Sequence, residues 1–161
     1  DYNYENRIKM AAIEHILSLR YIETIREEQG GSYGVGVRQV TSHYPEESFN
    51  LLMMFDCDPE KQEKLVGILY EEVEKLYNNG PKAEDLEKAK KHFLKKREQE
   101  LKENDFWLSS LKHNYIHNEN VIASENYEEI VKSLTAEDIK ATAEKYLKNA
   151  NTIDLRMSSK N

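Results

Sequence analysis

The spacing of apolar residues changes across a double glycine, and that change limits what the chain can fold into. Before it, Ile8, Ala12, Ile16, Leu19 and Ile22 recur at threes and fours, which predicts a helix from Ile8 to about Ile25 with one broad buried face. After it, Tyr33, Val35 and Val37 alternate with Gly34, Gly36 and Arg38, the period of a strand. Gly30-Gly31 ends the helix near Gly30 and lets the backbone turn through positive φ. Arg26 and Tyr33 flank this bend. A forked guanidinium and a phenolic O–H suit a peptide carbonyl whose oxygen gains charge during hydrolysis, so Arg26 and Tyr33 are the candidate catalytic pair. Gly30 and Gly31 keep side-chain bulk away from whatever docks there, which makes them candidate substrate contacts with Arg26 and Tyr33. Each of the pair also has a plainer reading: a helix-terminal arginine favoured by the dipole, and a strand tyrosine half-buried in the core.

A second alternating run, Phe49, Leu51, Met53, Phe55 and Cys57, follows a loop from Thr41 to Glu47 that contains Pro45, which predicts an antiparallel hairpin. Leu52 and Met54 put apolar groups on its other face as well. We therefore expect a central strand covered on both sides, the alternative being a strand covered by a partner domain.

Helices dominate the remainder. Asp58-Pro59 predicts a capped start, with Leu65, Ile68, Leu69, Val73, Leu76 and Tyr77 as the apolar stripe and Gly80-Pro81 as the stop. The next helix is expected over about Ala83–Lys102, buried through Leu86, Ala89, Phe93, Leu94, Arg97 and Leu101, with Glu84–Lys88 and Glu87–Lys91 pairs outside. The lysines from Lys88 onward have acids interleaved and read as its solvated side. Asn104-Asp105 caps a helix carrying Phe106, Trp107, Leu108, Leu111, Tyr115 and Ile116. A short helix spans Asn126–Ser133. Thr135 and Asp138 form a capping box for the last helix, buried at Ile139, Ala143, Tyr146 and Leu147. Ile153, Leu155 and Met157 alternate as a terminal strand.

With 161 residues, the chain suffices for one ordinary core without staples, and we expect residues 1–161 to form a single domain. A net charge of −7 argues against duplex nucleic acid as a partner. No apolar run approaches a membrane span. One cysteine, Cys57, excludes an intramolecular disulfide and leaves both cytoplasm and periplasm open; its position predicts a small buried hydrophobe. No set of metal ligands is apparent. Glu14-His15 follows Ala11, where an inverted zinc motif needs histidine. His113 and His117 share a helical face but show no third ligand, and the expected setting is solvent or a cap. His43 and His92 have no partner that spacing reveals.

Arg26 followed by glycines and then Tyr33, together with Asn79-Gly80-Pro81 leading into Glu84, Leu86, Ala89 and Lys90, and with Leu134–Ile139 followed by Ala143, Tyr146 and Leu147, resembles the C-terminal half of the pitrilysin/insulinase family of zinc metallopeptidases. The resemblance implies a two-layer α+β sandwich, an antiparallel or mixed sheet with helices on one face, here truncated at its N-terminal strand. It implies a clamshell of two halves around an unfolded peptide. In it the N-terminal half carries zinc on a His-x-x-Glu-His helix, and this chain carries no cofactor of its own. Arg26 would hold a substrate carbonyl and Tyr33 would donate to the tetrahedral oxyanion. Partners implied are the N-terminal half, peptide substrate, and a second copy where a missing strand leaves a sheet edge open. The same fold also resembles core proteins of a respiratory complex, so the alternative function is a non-catalytic scaffold or partner subunit.

Overall fold

Five residues ahead of Ile8, the first position of the apolar stripe, the Asn3 side chain accepts from the Asn6 N–H at 2.8 Å and starts the opening helix earlier than periodicity indicates. In the computed structural model, which describes residues 2–28, 34–118 and 126–157 with no side chains given for 26–28, this helix is α1 (Tyr4–Tyr21). It continues as a π-helical segment, Ile22–Glu28. Ile8, Ala12 and Ile16 are buried as the spacing predicts, whereas Leu19 is half-buried and Ile22, where the π-helical segment begins, is exposed.

Strands β1 (Val35–Ser42) and β2 (Ser48–Phe55) pair antiparallel, with Val35 opposite Phe55, Val37 opposite Met53 and Thr41 opposite Phe49. That register sends Val35, Val37, Phe49, Leu51, Met53 and Phe55 toward α1 and the core. Among the described residues the sheet has these two strands alone. The expectation of a central strand covered on both sides is therefore corrected: Leu52 is 42% exposed and Met54 58%.

A 3-10 turn (Pro59–Lys61) leads into α2 (Gln62–Asn79). Proline takes the first helical position as expected, but the Asp58 side chain caps nothing. Leu65, Leu69 and Leu76 are buried, and α2 ends at Gly80, at φ +78°, whose N–H donates to the Leu76 carbonyl at 2.9 Å. Helix α3 (Ala83–Glu100) buries Leu86, Ala89 and Phe93 against α1, while Leu101 lies just past its end and is exposed. Glu84 pairs with Lys88 at 2.6 Å, whereas Glu87 pairs with Lys90, one residue nearer than expected.

Helix α4 (Asn104–His117) forms where expected, yet none of its side chains is fully buried and Tyr115 is 90% exposed. Its first turn is tied down by the Arg97 guanidinium over the Phe106 ring, 4.5 Å from the centroid, and by the Trp107 indole N–H donating to the Leu101 carbonyl at 3.0 Å. Helices α5 (Tyr127–Ser133) and α6 (Ala136–Leu147) follow, α6 packing on α2 and α1. The capping box is present: the Asp138 N–H donates to Thr135 Oγ1 at 3.1 Å and the Thr135 N–H donates to Asp138 Oδ2 at 2.9 Å. Residues 151–157 form no strand, and Ile153, Leu155 and Met157 are exposed. Alternation alone does not make a strand; its amides need a ladder partner, and no described strand pairs with this segment. No helix among the described residues is long and apolar enough to cross a membrane.

Candidate functional site

The backbone of Arg26 lies in the π-helical segment, a geometry frequent at functional sites. Its side chain, and Gly30, Gly31 and Tyr33 entirely, lie outside the described residues. What the structure does define is how the chain is anchored before and after these residues.

On the helical side, Thr24 Oγ1 donates back to the Arg20 carbonyl at 2.8 Å and Ile25 is sealed in the core. The Tyr21 hydroxyl donates to the Leu69 carbonyl at 2.9 Å, locking α1 to α2. Beside it, Arg20 Nε donates to Glu72 Oε2 at 3.0 Å, Lys75 donates to Glu72 Oε1 at 2.8 Å, and Arg20 also pairs with Glu23. Glu23 in turn lies 3.9 Å from Lys82. Burial works against the Glu72 carboxylate, which is 4% exposed, but the hydrogen bonds from Lys75 and Arg20 outweigh it and hold its pKa below the ordinary glutamate value. Asp85, at the start of α3, is also buried, and its Oδ2 has no hydrogen-bond partner among the described residues. On the strand side, the Gly34 N–H donates to Asp56 Oδ1 at 3.1 Å, pinning the entry to β1 against the end of β2.

Sequence reasoning missed this polar network. The signal was present: Glu72 lies three residues after Leu69 and four before Leu76, a charged residue set inside an apolar stripe, and Asp85 lies four before Ala89.

The histidines divide into two groups. His15 stacks on His92 with centroids 4.3 Å apart, between α1 and α3. Burial first, then the neighbouring His92 and Lys96, push the His15 pKa below the usual imidazole value. The expectation that His113 and His117 sit in solvent or at a cap is corrected. Both are half-buried at the end of α4, their centroids 4.3 Å apart, with His43 of the β1–β2 loop 5.3 Å from His117. Tyr2 and Tyr44 complete the cluster, 4.5 Å from His43 and 5.5 Å from His117 respectively. These rings line a cavity of about 540 Å³ that also meets Arg7. Among the described residues no group of three or more His, Cys, Asp or Glu is arranged to hold a metal ion. Cys57 is half-buried; burial first, then Asp58 and Asp56, raise its thiol pKa, which keeps it protonated and inert.

Comparison with known proteins follows the same outline. The model of the family described as the peptidase M16 inactive domain matches residues 1–93, a span that includes the Gly-Gly bend. A zinc protease PQQL-like protein of Arabidopsis thaliana is 29% identical over 105 residues, 62% of this chain and 11% of that protein. The solved periplasmic protease PqqL from Escherichia coli superposes on 91% of the chain and 16% of its own with a TM-score of 0.77 at 20% identity. A peptidase M16 inactive domain from Pseudomonas fluorescens does so over 88% of this chain and 34% of its own, with a TM-score of 0.76 at 19% identity. The chain thus spans about a ninth of its curated relative's length, and the structural likenesses establish the fold.

Proposed function

Because the chain belongs to the peptidase M16 inactive-domain family, we propose that residues 1–161 act as the domain of a zinc metalloendopeptidase that binds no zinc, pairing with a zinc-carrying N-terminal half and forming the far wall of a chamber around an unfolded peptide. The observation carrying this reading is that the family match runs through residues 26–33, with the Arg20–Glu72 pair on the helix before them and the Gly34–Asp56 contact at the strand after them. Zinc, supplied by the other half, would polarise the scissile carbonyl. No described residue set on this chain fits that ion, so the roles assigned here belong to its own side chains.

In this reading Arg26 presents its fork to a substrate backbone carbonyl and fixes the peptide's register. Tyr33 donates its phenolic proton in a hydrogen bond to the carbonyl oxygen as charge develops there, a contact worth a few kcal/mol at the transition state. Gly30 and Gly31 let the substrate backbone approach without meeting a Cβ. The exposed Leu52 and Met54 face of β2 is then the side of the sheet that the partner half would cover.

The test is reconstitution. The chain is assayed on an unfolded peptide alone, with added zinc, and combined with the zinc-carrying half. Cleavage is expected only in the combination. Cleavage by the chain alone, or equal cleavage by the zinc-carrying half with and without it, contradicts the proposal; the second result makes the chain a scaffold.

A further inference from the structure

Helix α4 is turned the wrong way round for a helix that serves only the chain it packs on. At about 100° per residue, Phe106, Ser110, His113, Asn114 and His117 fall on one side, and these are its half-buried positions. All but Phe106 are polar. Trp107, Leu108, Leu111 and Tyr115 fall on the other side and are exposed, Leu108 to 68%. An amphipathic helix ordinarily gives the core its apolar side and water its polar one. In α4 the assignment is reversed, although the polar side is the docked one, held by the Arg97–Phe106 and Arg7–His113 contacts.

The outer stripe has the make-up of an interaction surface. Four large side chains, two of them aromatic, succeed one another at spacings of one, three and four, which aligns them as one ridge along the helix. Covering the ridge removes roughly 500 Å² from water per copy, or about 1,000 Å² for a symmetric pair, the lower end for a specific protein–protein contact.

The charges beside the ridge decide what sits on it. Helix α4 carries one acid, Asp105, and one lysine, Lys112, two turns apart on the same edge of the stripe. Neither takes part in a hydrogen bond or ion pair among the described residues. A membrane surface calls for a row of lysine or arginine along such an edge, and α4 has a single lysine. The ridge complements itself instead. When two identical helices pack antiparallel about a two-fold axis, like edges face each other. With the axis between Leu108 and Leu111, Leu108 of one copy meets Leu111 of the other, and Asp105 comes within reach of Lys112 of the second copy, twice by symmetry. A chain of net charge −7 repels its own copies over much of its surface. Along α4 that repulsion is balanced, acid against lysine.

We propose that the outer face of α4 is a self-association surface: a second copy of this chain docks antiparallel on Trp107, Leu108, Leu111 and Tyr115, with two reciprocal Asp105–Lys112 pairs fixing the direction. The surface lies on a different element from the Leu52 and Met54 face of β2, so it holds whichever way the reading of the bend falls. The association is reversible, with a dissociation constant of about 10 μM, the order for so small an interface.

Sedimentation equilibrium of the full chain at neutral pH, over concentrations from about 1 to about 200 μM, tests this. A monomer–dimer equilibrium is expected. Leu108→Asp alters a position already exposed, so it should leave the thermal midpoint unchanged and weaken dimerisation at least about tenfold. Asp105→Lys sets two lysines against each other and should weaken it roughly three- to tenfold, and Asp105→Lys combined with Lys112→Asp should recover the affinity of the unaltered chain. A chain that stays monomeric throughout overturns the proposal. So does undiminished dimerisation of Leu108→Asp, or a double exchange no better than Asp105→Lys alone. If the monomeric chain binds the zinc-carrying half instead and Leu108→Asp abolishes that binding, the stripe belongs to that half and not to a second copy.

Discussion

The Tyr21 hydroxyl reaches across from α1 to the Leu69 carbonyl of α2 at 2.9 Å, from a side chain with no solvent exposure. The same oxygen lies 2.9 Å from Met53 Sδ of β2, so one phenol touches a helix and a strand besides its own. Burial first, then the nearby Glu72 charge, raise its pKa far above the usual tyrosine value and keep it a donor. It closes the core directly beneath the π-helical segment that leads to the Gly-Gly bend.

Tyr21→Phe keeps the ring and removes that donor. The expected loss is about 1–2 kcal/mol, the range for leaving a buried partner without its hydrogen bond. Urea unfolding checks it: the midpoint should fall with the m-value unchanged. An unaltered midpoint shows that the Leu69 carbonyl gains nothing from the phenol beyond its bond within α2.

Glu72→Ala is expected to cost more, about 2–3 kcal/mol, because it leaves the partly buried Arg20 guanidinium with only the more exposed Glu23 as counter-charge. Replacing both partners with apolar side chains of similar size, Arg20→Met with Glu72→Leu, should recover most of that loss, which a double-mutant cycle measures. The linkage has a definite sign. Since the folded pKa of Glu72 is depressed, its stabilisation is complete above the ordinary glutamate value and is lost as pH falls through the folded one.

Gly80→Ala tests the stop between α2 and α3. Gly80 holds φ +78° and ψ 178°, a region nearly reserved for glycine, and an added Cβ would sit 3.4 Å from the Ala136 carbonyl oxygen of α6. The backbone term dominates, because the steric contact is tolerable while the torsion is not. A loss of about 1–3 kcal/mol is expected, read as a lower thermal midpoint.

His15 gives a separate pH dependence. At neutral pH both folded and unfolded chains carry it uncharged, and it contributes nothing. Below the ordinary imidazole value, about 6.5, the unfolded chain takes up a proton that the folded one resists, because His15 is buried and faces His92 and Lys96. Stability therefore declines on acidification until the folded His15 also titrates. His15→Phe preserves an aromatic ring against His92 and should show a shallower decline between pH 7.5 and 5.5; identical declines would assign the effect to other groups.

Local chemistry was legible in the sequence and tertiary context was not. Leu65, Leu69 and Leu76 as a stripe, Gly80-Pro81 as a stop and Thr135 with Asp138 as a capping box each depend on neighbours within a few residues, and each is found as read. Leu108, Leu111 and Ile116 correctly mark a helix, but periodicity says nothing about what a helix packs on, and α4 leaves them exposed. Ile153, Leu155 and Met157 alternate like a strand, yet a strand is a property of two segments, and the second is not among the described residues. His43 meets His117 across more than seventy positions of sequence, a distance at which spacing carries no signal. The buried Glu72 could have been found, since a carboxylate on an apolar stripe demands a partner.

The proposed roles at the bend predict a separation of kinetic constants in the assembled enzyme. Tyr33→Phe removes one proton donor and leaves the ring, so on this proposal substrate would still be held by Arg26 and by the chamber. If the phenol engages the carbonyl oxygen only as charge accumulates, kcat should fall by about 10²-fold while KM stays nearly constant. Arg26→Lys retains charge but loses the fork, and if Arg26 grips a ground-state carbonyl its effect should appear chiefly in KM. A Tyr33→Phe variant with unchanged kcat would return this tyrosine to the core of the hairpin, and an Arg26→Lys variant with unchanged KM would return the arginine to the helix end. The two outcomes are independent, because the helix leading to Arg26 is anchored through Arg20 and Glu72, whereas the described chain after Tyr33 is anchored separately through Gly34 and Asp56.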